Sequence, residues 1–326
     1  MAGELVTAVI SGDAPAARRP LISVVVPVYF NEHSLKPLFT QLKLVEHDLA
    51  ELGMDMQLIF VNDGSKDDSL SVLLELKKER PATKVISLSR NFGAVAAVKT
   101  GLQFVSGDAL SVVAADLQDP PMLIVELAKH WQAGSKFTVC IRQTRADPWT
   151  SKVLAALYYV LVRVLVAPNY PAGGFDLFML DRAGIPALQR SAKSMNLSMY
   201  SLWLGFPLKK IFYDRQARGF GKSRWTLTKK AKYFLDTITG FSAVPIRILS
   251  GLGIATAAIS LAYGLFIFVA ALRGDFTTPG FATLAVLIAF FSGLILTMLG
   301  VIGEYVWRIY DSVNGKPEAV IDSIFD

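Results

Sequence analysis

Hydrophobic residues along this chain follow two rhythms. Leu21–Tyr29, Gln57–Val61, Lys84–Ser89, Ala109–Ala114 and Phe137–Ile141 are short, nearly continuous apolar runs rich in β-branched residues, the pattern of strands covered on both faces. Between them, Leu35–Leu52, Asp67–Glu79, Ala94–Val105 and Met122–Ala133 carry apolar residues at helical spacing. The alternation predicts βαβ units, hence an α/β domain built on a mostly parallel sheet. Ligands of such sheets bind beyond the carboxyl ends of the strands. Farther on, Trp149–Val166 and Met195–Leu204 predict helices, and Pro168–Gly174 a turn region.

The last third of the chain is different. No charged side chain occurs between Arg247 and Arg273, or between Asp275 and Glu304. Each stretch is about 25 residues or longer, enough for a helix to cross ~30 Å of hydrocarbon. Two membrane-spanning helices are therefore expected, near 246–272 and 279–305, joined by Arg273–Gly280. A basic stretch precedes them: Lys209, Lys210, Arg215, Arg218, Lys222, Arg224, Lys229, Lys230 and Lys232. Within it, 226–243 mixes lysines with Leu227, Tyr233, Phe234 and Leu235, which suits an interfacial amphipathic helix on anionic headgroups. The expected plan is a flexible tail over 1–20, the α/β domain over 21–225, the interfacial helix over 226–243, the hairpin over 244–310 and a tail over 311–326.

Composition supports a membrane-attached domain. Of 326 residues, 52% are hydrophobic and only 18% charged, below the roughly 25% charged of soluble domains. The net charge is +6. Basic residues before the first span and after the second (Arg308, Lys316) outnumber the single Arg273 between them, so both ends of the hairpin are expected in the cytosol. The N-terminal run Leu5–Ile10 is short, lies between Glu4 and Asp13, and is followed by Arg18 and Arg19, unlike a signal peptide. The lone Cys140, in an apolar run, excludes a disulfide framework or cysteine zinc site. His33, His47 and His130 are scattered.

Polar residues gather where strands are expected to end. The first strand ends Pro27-Val28-Tyr29-Phe30-Asn31-Glu32, the second Val61-Asn62-Asp63-Gly64-Ser65, and the fourth Ala114-Ala115-Asp116-Leu117-Gln118-Asp119-Pro120-Pro121. Glu32, Asp63 and Asp116 thus come to one sheet edge, where their repulsion requires cations or hydrogen-bond donors. Asp116 and Gln118 offer oxygen ligands two residues apart, suited to Mg²⁺ or Mn²⁺ bridging to a diphosphate.

These motifs resemble the family 2 glycosyltransferases of GT-A fold, specifically the polyisoprenyl-phosphate glycosyltransferases related to dolichyl-phosphate mannose synthase. The resemblance extends to Ser89-Arg90-Asn91-Phe92-Gly93, to Arg215-x-x-Arg218-x-x-Gly221-Lys222-Ser223 and to Gly303-Glu304-Tyr305-x-x-Arg308-Ile309-Tyr310. The two-span hairpin is similar to that of bacterial polyprenyl-phosphate glucosyltransferases and aminoarabinose transferases. The resemblance implies that Pro27, Tyr29, Glu32, Asp63, Asn91, Ala115 and Asp116 hold the nucleotide sugar, with Asp63 on the base. It implies that Asp116 and Gln118 bind the metal, and that Arg142, Arg145, Arg215, Arg218, Lys222 and Ser223 receive phosphate groups of donor and acceptor. Asp116, Arg215 and Arg218 would carry the catalysis. It further implies transfer with inversion to a polyprenyl phosphate, UDP-glucose as first choice of donor, GDP-mannose or a UDP-aminopentose as alternatives, and a homotetramer.

Three departures stand out. Ala114-Ala115-Asp116 replaces the family's Asp-x-Asp, removing a carboxylate. Gly173-Gly174-Phe175-Asp176-Leu177 stands where many relatives have Gly-Asp-Phe-Arg-Leu. Ala94, Val95 and Ala96 replace residues that are often polar. Other readings fit less well. Gly219–Ser223 lacks the first glycine and the preceding strand of a phosphate-binding P-loop, and Gly251-x-Gly253 lies within a span, where small residues pack helices. Two spans without a central charge argue against a channel or transporter. A processive polysaccharide synthase would bring more spans, and a Gln-x-x-Arg-Trp motif that Arg224-Trp225 does not complete.

Overall fold

The computed structural model describes residues 18–143, 158–171, 173–193, 195–216, 234, 236–273 and 280–326. One eight-stranded sheet, ordered β7-β5-β6-β4-β1-β2-β3-β8, organises the α/β domain. Strand β1 (Leu21–Val28) runs parallel to both β2 (Asp55–Asn62) and β4 (Ala109–Val112), with Val25 opposite Ile59 on one side and Val112 on the other. Strand β3 (Lys84–Leu88) extends the parallel set beside β2. Beyond β4, β6 (Phe178–Asp181) lies antiparallel to both β4 and β5 (Phe137–Arg142), and β7 (Leu208–Tyr213) closes that edge parallel to β5. Pro27, which has no N–H to donate, stands where pairing with β4 has already stopped.

Helices cover both faces. On one, α1 (Glu32–Glu51), α2 (Ser69–Glu79) and α4 (Leu123–Gln132) bury Leu35, Phe39, Leu42, Leu73 and Leu127 against Val24, Val26 and Phe60. On the other, α3 (Ala94–Leu102), α5 (Ile185–Gln189) and α6 (Leu197–Trp203) pack on Val25, Ile59, Phe137 and Phe178. Gly101 permits the close approach of α3, because a Cβ there would lie 2.6 Å from Val25 Cγ1. The domain therefore has the expected α/β architecture. Cys140 is fully buried in β5, and burial, helped by Asp119, pushes its thiol up to about 12.

Two helices, α7 (Val244–Leu272) and α8 (Phe281–Val313), contain segments long and apolar enough to cross a membrane, Val244–Ile267 and Phe290–Val313. Their apolar side chains, such as Ile254, Leu261, Leu265 and Leu296, are exposed. Near the domain, Arg308 pairs with Asp236 at 2.6 Å and Tyr305 Oη donates to the Ser242 carbonyl, tying the two roots together. Residues 158–165 and 236–241 are helical. The remainder of the expected Trp149–Val166 helix, and most of the expected interfacial helix, lie outside the described residues.

The C-terminal segment does not end as a tail. Residues Ile321–Phe325 form β8, antiparallel to β3. Four contacts lead the chain there from α8. Lys193 Nζ donates to the Asp311 carbonyl and to Asn314 Oδ1, Lys99 Nζ meets Glu318 at 2.5 Å, and Ser89 N–H donates to the Val320 carbonyl. Lys99 is buried, and its ammonium also donates to the carbonyls of Ser191 and Ala192. Breaking a buried pair leaves an uncompensated charge and costs about 3 kcal/mol. Glu318→Gln should therefore lower the thermal midpoint by several degrees in detergent, and pairing it with Lys99→Met should recover part of the loss. An unchanged midpoint in Glu318→Gln would contradict this role for the C-terminal segment.

Candidate active site

The loops after β1, β2 and β4 are stitched into one edge. Asp63 N–H donates to the Val28 carbonyl, and Phe30 N–H donates to Ser65 Oγ, joining the first two strand ends. Ser34 Oγ donates to the Ala115 carbonyl at 2.6 Å, and Asn31 Nδ2 reaches the same carbonyl, joining the first to the fourth. Asn31 Oδ1 also accepts from the Tyr29 N–H, which fixes the turn in which Phe30 adopts a left-handed φ of 57°. Pro27 and Tyr29 are half-buried along this edge, and Ala115 is buried.

All three expected acids accept from backbone donors. Glu32 Oε2 accepts from the Asp68 N–H at 2.9 Å, clasping the loop that enters α2. Asp63 is buried, and its carboxylate accepts from Asn91 Nδ2 (2.7 Å), Phe92 N–H (2.7 Å) and Gly93 N–H (2.9 Å). It thereby holds the Arg90–Gly93 turn against the second strand end. Gly64 is essential to this approach: at φ 61° it lies so close to the Arg90 main chain that a Cβ would collide with it. Arg90 stacks over the Phe92 ring at 4.0 Å beside Asp63. Burial raises Asp63 above the usual carboxylate range, against the opposing pull of the Phe92 and Gly93 N–H groups and Arg90.

The fourth strand end supplies hard oxygen ligands. Asp116 Oδ1 accepts from the Gln118 N–H, and Leu117 between them takes a left-handed φ of 58°. Among the described residues no group of three or more His, Cys, Asp or Glu side chains could hold a metal. Asp116 with Gln118 nonetheless suits Mg²⁺ or Mn²⁺, which keep waters and take substrate phosphate oxygens to complete their shell. Ala114, at the family's missing carboxylate, is exposed.

Beside this loop lies a charged cluster in which Arg142 and Arg215, two of the expected phosphate-binding residues, meet Asp119, whose motif alone gives it no role. Asp119 is only 3% exposed. Tyr213 Oη donates to its Oδ1, Arg215 Nε lies 3.3 Å away and Arg142 Nε 3.9 Å away. Arg142, expected to receive a phosphate, is itself buried and pairs with Asp176. The acid at the departure from Gly-Asp-Phe-Arg-Leu is thus an ion-pair partner. Burial lowers the Arg142 pKa, and Asp176 and Asp119 more than offset this, so it is raised and the guanidinium stays charged. Burial, reinforced by Asp176, raises Asp119, against Arg142, Tyr213 and Arg215. Arg215 is partly exposed, and the neighbouring Gln216 N–H donates to the Gln118 carbonyl. The signal for Asp119 was its place in the Asp116–Pro121 motif; its arginine partners are about 25 and 95 positions distant in the chain. Arg145, Arg218, Lys222 and Ser223 lie outside the described residues.

The profile of Glycosyl transferase family 2 matches residues 23–186. An uncharacterized glycosyltransferase of Synechocystis sp. is 32% identical over 306 residues, covering 93% of this chain and 95% of that protein. The SfII prophage-derived bactoprenol glucosyl transferase of Shigella flexneri is 32% identical over 303 residues, covering 92% and 97%. Among solved structures, glucosyl-3-phosphoglycerate synthase from Mycobacterium tuberculosis, in complex with Mn²⁺, UDP-glucose and phosphoglyceric acid, superposes with a TM-score of 0.50 at 15% identity. It covers 67% of this chain and 77% of its own, a likeness of fold. The chain belongs to glycosyl transferase family 2: it is a glycosyltransferase with a GT-A-like domain.

The Asp63 environment generates a pH prediction. Because its folded pKa is raised above 3.8, the stability it contributes is present below that value and falls as pH rises through the folded pKa. Protonation does not destabilise the fold, but it leaves a neutral acid that accepts more weakly from Phe92 and Gly93, so the local turn loosens at a higher pH than an exposed aspartate would allow. Affinity for UDP with Mn²⁺, followed by calorimetry, should decline on acidification with a midpoint above pH 3.8. Asp63→Asn should weaken binding about tenfold at neutral pH, equivalent to about 1.4 kcal/mol, and remove that acid limb. A wild-type profile in Asp63→Asn would contradict the assignment.

Proposed function

We propose that this family 2 glycosyltransferase transfers glucose from UDP-glucose to a polyprenyl phosphate at the cytosolic face of a membrane, with inversion. The observation that carries the reading is the joint presence of strand-end oxygen ligands, the adjoining Arg215 and a two-helix apolar hairpin. Bactoprenol glucosyl transferases similar over nearly their whole length support the choice of sugar and acceptor.

In this reading the Asp63–Gly93 turn receives the nucleoside, with Pro27, Tyr29, Glu32, Asn91 and Ala115 forming the rest of that subsite. Asp116 and Gln118 would hold Mg²⁺ or Mn²⁺, which when bound neutralises charge developing on the diphosphate leaving group. Arg215 aids that neutralisation, and Arg218, with Arg145, Lys222 and Ser223, receives acceptor phosphate. The acceptor needs no general base, since a phosphate monoester with a second pKa of about 6 is already largely dianionic at neutral pH. Its oxygen forms a bond to the anomeric carbon as the bond from that carbon to the UDP oxygen breaks, and UDP departs with the electron pair. The protein supplies alignment of two anions and stabilisation of the departing charge. Arg142, already paired with Asp119 and Asp176, serves to shape the site instead of binding phosphate.

The membrane part of the proposal rests on three features. The hairpin roots are tied together, β8 returns the chain from α8 to the same sheet as β1, and basic residues flank the spans. Together these favour two crossings with the domain, 21–225, and the C-terminal segment on one side. The exposed hairpin faces lipid or other copies of the chain, and by resemblance the assembly is a tetramer.

The test is incubation of the purified full chain with undecaprenyl phosphate and a panel of labelled UDP- and GDP-sugars. Glucose should enter lipid from UDP-glucose, EDTA should abolish transfer, and Mg²⁺ or Mn²⁺ should restore it. Asp116→Ala should lower the rate about 100-fold, the scale expected for loss of a major charge-stabilising element. Label entering a polymer, or lipid labelled from GDP-mannose or a UDP-aminopentose instead, would overturn the choice of product or donor.

A further inference from the structure

The buried carboxylate of Asp119 has no assigned part in the transfer, yet it sits between the two halves of the proposed site. Its chain neighbours Asp116 and Gln118 belong to the metal loop, and its side chain engages Tyr213 and Arg215 at the end of β7. We infer that Asp119 is a positioning residue, attracting the Arg215 guanidinium from its Nε side through an ion pair so that the terminal nitrogens are presented to the donor diphosphate. The inference rests on the proposed reading of Asp116, Gln118 and Arg215.

Four observations carry it. First, Arg215 Nε lies at ion-pair distance, 3.3 Å, from Asp119 Oδ1 without a hydrogen bond to it, and the arginine side chain is 27% exposed while the carboxylate is 3% exposed. A guanidinium attracted from its Nε side leaves its two-nitrogen fork for a phosphate, and the unsatisfied Nε–H can close on the carboxylate as the fork is engaged. Second, Tyr213 Oη donates to the same carboxylate oxygen, so the group is fixed from the strand as well. Third, the Gln216 N–H to Gln118 carbonyl bond, 3.1 Å, holds the main chains of the two segments together next to the ion pair. Fourth, Asp176 neutralises Arg142, which lies farther from Asp119 than Arg215 does. Without Asp176 the two arginines would compete for one carboxylate. An arginine already ordered before substrate arrives loses less rotamer freedom on binding, and alignment of this kind contributes directly to rate.

A double-mutant cycle on the full chain in lipid nanodiscs tests the inference, using Asp119→Asn, Arg215→Ala and the double variant. The readouts are affinity for UDP with Mn²⁺ by calorimetry and kcat/KM for transfer. Each single change should weaken UDP binding about tenfold, and the double variant should match Arg215→Ala within about threefold, as expected when one residue acts through the other. Losses that multiply, or wild-type affinity in Asp119→Asn, would overturn it. Because a merely structural role would weaken binding equally when Arg215 is absent, the cycle separates the two. Should Asp119→Asn fail to fold, Tyr213→Phe, which keeps the carboxylate and removes one donor, enters the same cycle with the same criteria. If the cycle is coupled for UDP affinity but no sugar reaches polyprenyl phosphate, the acceptor reading fails while the role of Asp119 stands.

Discussion

Parallel pairing of β1 with β2 and β4 is the constraint on which the site depends. With Val25 opposite both Ile59 and Val112, three strands end at the same edge, and the loops that follow must share it. That edge accumulates carboxylates. Acidic groups crowded at a sheet edge are tolerated because donors meet them: the Asp68 N–H at Glu32, three N–H groups at Asp63, and Tyr213 with two guanidinium groups at Asp119. What could have been mutual repulsion becomes the means by which separate loops are held in register.

Two of these carboxylates join segments remote in sequence. Asp63 binds the second strand end to the turn before α3, and α3 in turn carries the buried Lys99 that grips Glu318. Asp119 joins the Asp116–Gln118 loop to β7, beyond which the basic segment begins. The first link reaches from the proposed nucleotide side of the site to the chain returning from the hairpin. The second reaches from the proposed metal ligands toward the residues proposed to receive the lipid phosphate. The proposed transfer from a water-soluble donor to a membrane-held acceptor would need such links, and here they are made by single side chains.

Legibility in the sequence followed the strength of periodic signals. Strands β1 to β5 and helices α1 to α4 were evident because buried strands read as continuous apolar runs and amphipathic helices repeat at helical spacing. Both hairpin helices were evident from their lack of charge. Strand β6 has four residues, and β7 exposes Lys209 and Lys210 on the outer edge, so it read as basic surface. Strand β8 alternates Ile321, Asp322, Ser323, Ile324 and Phe325, too brief a pattern to distinguish from a tail, and its partner β3 lies more than 230 residues away in the chain. At the site, the acids at the strand ends could be placed from the sequence, but their partners could not. Nothing local to Arg142 announces Asp119 and Asp176 as its partners. These pairings are tertiary facts, created by a sheet order that no short window encodes.

A structure of the full chain in a nanodisc with UDP and Mn²⁺, determined by electron cryo-microscopy, would test the central claim most directly. The account predicts the uracil against the Asp63–Gly93 turn, the metal on Asp116 and Gln118, and the diphosphate within reach of the Arg215 guanidinium. Nucleotide bound elsewhere in the domain, or a metal held without Asp116, would contradict it.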